Sequence, residues 1–149
     1  MTKFKVLWIQ LIVFLVGAIG YPCIELMYRA GNCHWVMTII GGLALMMVID
    51  VNILLRKYNI FFRTFIACLG ITFIEFISGL IVNKWLQWKV WDYSYLDYNF
   101  EGQICLEFSF YWLLLSFVVI IMYELIYWLY RKYFKKEKKC AYLLTNQEV

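Results

Sequence analysis

Apolar residues fall in four long runs, with polar positions confined to short stripes and to the segments between. The runs are Val6 to Met27, Trp35 to Leu55, Ile60 to Val82 and Ile104 to Tyr130. Each reaches or exceeds the roughly 20 residues a helix needs to cross a bilayer. Backbone in hydrocarbon must satisfy its own hydrogen bonds, so the runs are read as helices. The reading is an all-α membrane fold: an up-down bundle of four transmembrane helices in one domain, residues 1–149. The fourth run is long enough for a terminal turn to stand outside the hydrocarbon. The first follows Lys3 and Lys5, but it is too long for a signal peptide and no small-residue cleavage site follows it.

The polar stripes have helical spacing. Gln10, Gly17, Tyr21, Glu25 and Arg29 share one side of the first helix, where Pro22 predicts a kink. Cys68, Thr72, Glu75, Gly79 and Asn83 form the clearest small-and-polar stripe, on the third. Small residues let membrane helices approach, and polar ones bond across the contact. Between helices three and four, Lys84–Gln103 packs Trp85, Trp88, Trp91, Tyr93, Tyr95, Tyr98 and Phe100 into an aromatic interfacial segment. The 85–88–91 spacing predicts a short helix lying along the membrane surface. Asp92-Tyr93-Ser94 predicts a turn or cap. The segment is read either as an anchor or as a lid over a cavity.

Of 149 residues, 64% are hydrophobic, 21% aromatic and 16% charged. Soluble domains average about 25% charged, so composition supports the membrane reading. The net charge of +4 is an orientation signal and not a nucleic-acid footprint. Lys3, Lys5, Arg56, Lys57, Arg63, Arg131, Lys132, Lys135, Lys136, Lys138 and Lys139 fall on one side, against Arg29, Lys84 and Lys89 on the other. This bias predicts both termini in the cytoplasm, with a basic tail, 131–149, against anionic lipid. The five cysteines make no metal pattern. Cys23, Cys33 and Cys105 share the outer side, where a disulfide and small buried thiols are both compatible with the spacing.

Three carboxylates carry the candidate chemistry. A charged group at mid-membrane costs roughly +2.5 to +3.5 kcal/mol on insertion scales, yet Glu25, Glu75 and Glu107 lie in three different runs. All three fall in the outer half of the bundle, with Arg29 and His34 on the connection beside them. Candidate ligand-binding residues are therefore Glu25, Arg29, His34, Glu75, Asn83, Asp92 and Glu107. Asp50 and Glu124 lie near Arg56, Lys57, Arg131 and Lys132 at the inner ends, and are read as structural ion pairs.

The stretch Glu75-Phe76-Ile77-Ser78-Gly79, Asn83, Trp91-Asp92-Tyr93-Ser94, Asn99, Gly102-Gln103-Ile104-Cys105-Leu106, Ser109 and Trp112 resembles the CmpB-like family of small bacterial membrane proteins, labelled type IV ABC-transporter proteins. Upstream, Gly20-Tyr21, Glu25, Arg29, His34-Trp35, Met37 and Gly41-Gly42 are similar to the family's first half. The resemblance implies a transporter-related protein of the bacterial cell membrane. The chain has no G-x-x-x-x-G-K-S/T loop for nucleotide phosphates, so a separate ATPase partner, or a homo-oligomer, would complete such a system.

Three functions follow. The first is a transport-related or small-ligand-binding subunit with an outward-facing acidic pocket for a small cationic or polar ligand. The second is a structural or regulatory membrane protein whose carboxylates bond across helices. The third is an intramembrane acid/base enzyme pairing Glu75 with Glu107 or His34. With one histidine and no nucleophile motif, the enzyme ranks last. No cofactor, metal or nucleic-acid partner is implied beyond the lipid bilayer.

Overall fold

The computed structural model describes residues 3–29 and 33–145; the side chains of 3, 5, 27–29 and 134–145 lie outside the description. Four helices dominate. Helix α1 spans Lys3–Arg29, α2 Trp35–Leu54, α3 Ile60–Gly79 and α4 Leu106–Thr145. All four are long and apolar enough to cross a membrane. Pro22 sits inside α1 without ending it.

The caps follow residue chemistry. His34 Nδ1 accepts from Val36 N at 3.3 Å and starts α2. Asn59 Oδ1 accepts from Phe62 N at 2.7 Å and starts α3. A side-chain acceptor at this position satisfies a first-turn N–H that the helix leaves open. At its other end α3 runs into a π-helical turn, Leu80–Trp85.

The expected surface helix at Trp85, Trp88 and Trp91 does not form. Gln87 (φ 55°) and Lys89 (φ 51°) take left-handed backbone, which stops a right-handed helix. Trp85 is exposed, whereas Trp91 turns inward and is 3% exposed. The segment closes with a two-stranded antiparallel ribbon, β1 (Asn99–Phe100) and β2 (Ile104–Cys105), pairing Asn99 with Cys105. Consequently α4 starts at Leu106, and it continues through the expected tail to Thr145.

Helix α1 packs on α2, α2 on α3, and α3 on α4. The first of these contacts is set by glycine. A Cβ on Gly17 would stand 2.5 Å from Gly41 O, and one on Gly41 would strike Tyr21. Only hydrogen in these positions lets the two backbones meet. Ala44, Val48, Ala67, Ile71, Trp112 and Ile120 form the mid-bundle core. A second core lies at the end that carries the α3–α4 connection, here termed the loop end. There Val36, Met37 and Ile40 meet Val82, Trp91, Tyr93 and Cys105. Helices α1 and α4 share no comparable packing, and a trough runs between them.

Candidate functional site

Helical spacing puts Ala67, Cys68, Ile71, Glu75 and Gly79 on the buried face of α3. Glu75 is thereby carried into the bundle and is 2% exposed. Two donors meet it. Tyr93, from the loop, donates its hydroxyl to Oε1 at 2.9 Å. Trp112, from α4, donates Nε1 to Oε2 at 2.8 Å. Each donor is held by a second ring: Tyr93 stacks on Phe108 with centroids 4.6 Å apart, and Trp112 on Tyr21 at 5.5 Å. Burial lifts the Tyr93 phenol far above its ordinary range, and the neighbouring Glu75 adds to the shift.

The loop reaches Glu75 because an amide hub holds it. Gln103 Oε1 accepts from Asn83 Nδ2 at 2.9 Å, and Gln103 O accepts from Trp91 Nε1 at 3.0 Å. Asn83 Oδ1 accepts from Val90 N at 2.8 Å. Gly79 leaves the space for this hub, since a Cβ there would lie 2.6 Å from Gln103 Oε1. Asp92 is exposed and accepts from the Ser94 hydroxyl and from Ser94 N, at 2.9 Å for the latter; the hydroxyl first and the N–H second hold its carboxyl below the ordinary range, and the pair fixes the turn.

In front of this arrangement lies a cavity of about 520 Å³ between α1, α4 and the loop. Its wall includes Tyr21, Ile24, Glu25, Tyr93, Phe108 and Trp112. Glu25 is half-buried and accepts from Cys33 Sγ at 3.1 Å. Glu75 stands behind the wall, attached to two of its members. Deeper between the same helices is a second cavity of about 220 Å³, which shares Tyr21, Ile24, Trp112 and Leu115 with the first.

Of the sequence candidates, Glu25 and Glu75 are thus brought to one region. Glu107 is exposed in the first turn of α4, accepts from Tyr111 at 3.3 Å and does not line the cavity. His34 serves as the α2 cap, with its ring beside Trp35 and Trp88. Asn83 and Asp92 shape the loop. The Arg29 side chain lies outside the described residues. Tyr93 and Trp112 were not among the candidates; an indole or phenol in an apolar run carries one donor needing a partner, a signal that marks a donor without locating its acceptor.

Among the described residues no three metal-ligating side chains gather. Cys23, Cys68 and Cys105 are free thiols, and Cys33 donates to Glu25.

The opposite end holds a separate network. Arg63 is 6% exposed and donates Nη1 to Glu124 at 2.9 Å and to Asn52 at 2.7 Å. Arg56 adds a 3.0 Å ion pair to Glu124 and lies over the Tyr127 ring. Glu124 is an ion-pair centre as expected, with Arg63 as its most buried partner. Asp50 instead accepts from the Gln10 amide at 2.7 Å, because its position on α2 faces α1.

Four long apolar helices with buried polar links define a multi-pass membrane protein. Residues 36–145 match the model of a family described as "Putative ABC-transporter type IV", the CmpB family, and the chain belongs to that family. The match begins in α2 and leaves α1 outside it. The family name points to transport and away from enzymes. No solved structure matches the chain.

Proposed function

We propose that this protein is a transport-related membrane subunit that binds a small ligand in the loop-end cavity, with Glu25 as its charged contact. The observation carrying this reading is one half-buried carboxylate in an otherwise aromatic and aliphatic wall of about 520 Å³. Ligand cavities combine apolar walls with a few placed polar groups in this way. Glu75 holds the back of the wall through Tyr93 and Trp112.

The Lys and Arg bias supports a cytoplasmic location for both termini, which places the loop end outside the bacterial cell membrane. An ATPase, where transport requires one, is supplied by a partner, since the sequence carries no phosphate-binding loop.

Binding to purified protein and uptake into proteoliposomes test the reading. Glu25→Gln is expected to abolish or weaken both for a cationic ligand, with the fold retained. Unchanged binding and uptake across a broad ligand panel would sink it.

A second reading is favoured by one observation: both oxygens of Glu75 are already bonded. Glu75 then acts as a structural latch between α3, α4 and the loop. Glu75→Gln would lower stability in either case, but under the latch reading the surviving folded protein shows no binding that any cavity substitution alters.

A further inference from the structure

Among the described residues, the end of the bundle opposite the loop carries more positive charge than its carboxylates balance. Glu124 takes two guanidiniums, Arg63 at 2.9 Å and Arg56 at 3.0 Å. Asp50 is engaged by the Gln10 amide. Lys57, Arg131 and Lys132 are exposed and make no ion pair among the described residues. Aromatic rings of α4 collect the cations here. The Arg56 guanidinium lies 3.9 Å from the centre of the Tyr127 ring, and the Arg131 guanidinium lies 5.8 Å from the same centre. Lys132 Nζ stands 4.9 Å from the centre of the Trp128 ring. Residues 127 and 131, like 128 and 132, are one helical turn apart, so α4 itself sets these two pairs. Arg56 reaches Tyr127 from the connection between α2 and α3.

We infer that Arg56 and Arg131, with Lys57 and Lys132 beside them, form a binding site for the phosphate headgroup of an anionic phospholipid. A guanidinium laid over a ring turns its face to the ring and keeps its N–H edges for an anion. Arg56 gives Nη2 to Glu124, but a guanidinium has five N–H donors in all. Two guanidiniums around one ring repel each other unless an anion stands between them. Glu124 is shared with Arg63, so it balances one charge of the three arginines. Depth selects a lipid over a soluble phosphate. Arg56 and Lys57 follow the α2 span, which ends at Leu54, and Arg131 and Lys132 fall in the last turn of the α4 span, which ends at Tyr133. Headgroups lie at that level. Deeper in the spans, Phe61, Leu125 and Ile126 offer exposed apolar surface to the chains of the same lipid. The site is a defined place on the fold, distinct from the general attraction of a basic tail to an anionic surface.

The test uses the full-length protein in neutral detergent, titrated with phosphatidylglycerol and followed by native mass spectrometry. Salt is held at about 0.5 M, where attraction beyond a few ångström is screened. Phosphatidylglycerol is expected to be retained in preference to phosphatidylcholine with the same acyl chains. Arg131→Gln, which breaks no ion pair, should weaken retention about 10-fold, and Arg56→Gln combined with Arg131→Gln about 100-fold, as for bonds to a charged group. Lys135→Gln combined with Lys136→Gln removes the same two charges from the tail and should change retention less than about 2-fold. Thermal unfolding verifies that each variant is folded. A photoactivatable phosphatidylglycerol in nanodiscs should cross-link the unaltered chain within 55–58 and 127–132, a result that does not depend on the variants.

Equal retention of phosphatidylcholine would overturn the anion site. An equal loss in the tail variant would reduce the binding to diffuse attraction and overturn a defined site. Displacement of the lipid by glycerol phosphate at matched concentration would assign the site to a soluble phosphate and overturn the lipid. Cross-links confined to other residues would overturn the location. These outcomes leave the loop-end cavity untouched, since it lies at the other end of the bundle.

Discussion

Tyr93 donates its hydroxyl to Glu75 at 2.9 Å, so a loop residue seals a carboxylate on a membrane helix. The loop docks because that carboxylate needs a donor. The carboxylate is tolerable at that depth because the loop and Trp112 supply two. Neither residue would hold its position without the other.

Tyr93→Phe removes one donor and leaves a buried acceptor, at an expected cost of about 1–3 kcal/mol. Trp112→Phe should cost a similar amount. Because both donors serve one carboxylate, their effects should not add, and a double-mutant cycle followed by thermal or denaturant unfolding measures the coupling.

The same phenol sets a pH response. Its folded pKa is raised, so its contribution is complete below the unfolded tyrosine value of about 10 and is lost as pH rises beyond it. Stability from this group should be flat from about pH 6 to 9 and fall in stronger alkali. Unfolding midpoints across pH, compared between the unaltered protein and Tyr93→Phe, check this: the variant should lack the alkaline component belonging to residue 93.

Gly17→Ala places a methyl 2.5 Å from a backbone oxygen of α2. Backbone gives way less readily than side chain, so α1 should shift off α2. Overpacking of this kind costs about 1–3 kcal/mol. A spin-label or fluorescence distance between α1 and α2 should lengthen, together with a lower unfolding temperature.

The ion pairs should rank by burial. Arg63→Met leaves Glu124 without its most buried partner and should cost about 3 kcal/mol. Arg56→Gln removes an exposed partner, and Lys84→Gln breaks an exposed pair with Glu101; each should cost about 1 kcal/mol or less. An Arg63 effect no larger than the Lys84 effect would contradict the network as described.

Gly102 takes φ 68°, and a Cβ there would lie 2.5 Å from Ser94 Oγ. Gly102→Ala therefore meets a backbone penalty of roughly 1–2 kcal/mol and a clash within the turn. Hydrogen exchange should increase across the 92–105 segment while the helix cores stay protected.

Much of the architecture follows from local rules. Apolar run length predicts four helices, and the period of 3.6 puts Glu75 and Gly79 on one face of α3. Charge clustering anticipates an ion pair at Glu124. Spacing alone predicts a surface helix at Trp85–Trp91 because it does not reveal the left-handed residues Gln87 and Lys89. Glu107 illustrates the same limit: its place on the chain matches a site residue, but it stands exposed in the first turn of α4 and is not part of the cavity wall.

Hydrophobicity and periodicity are properties of short segments, and they determine the number, class and approximate bounds of the helices here. The partners of Glu75 could be decided only by the tertiary structure. Tyr93 and Trp112 lie 18 and 37 residues away, and they reach one carboxylate only after the Asn83–Gln103 hub folds the loop back and α3 packs on α4. The trough likewise exists because α1 and α4 each pack on other helices and leave a seam between them. Such a seam belongs to the packing of four elements, and no single segment encodes it.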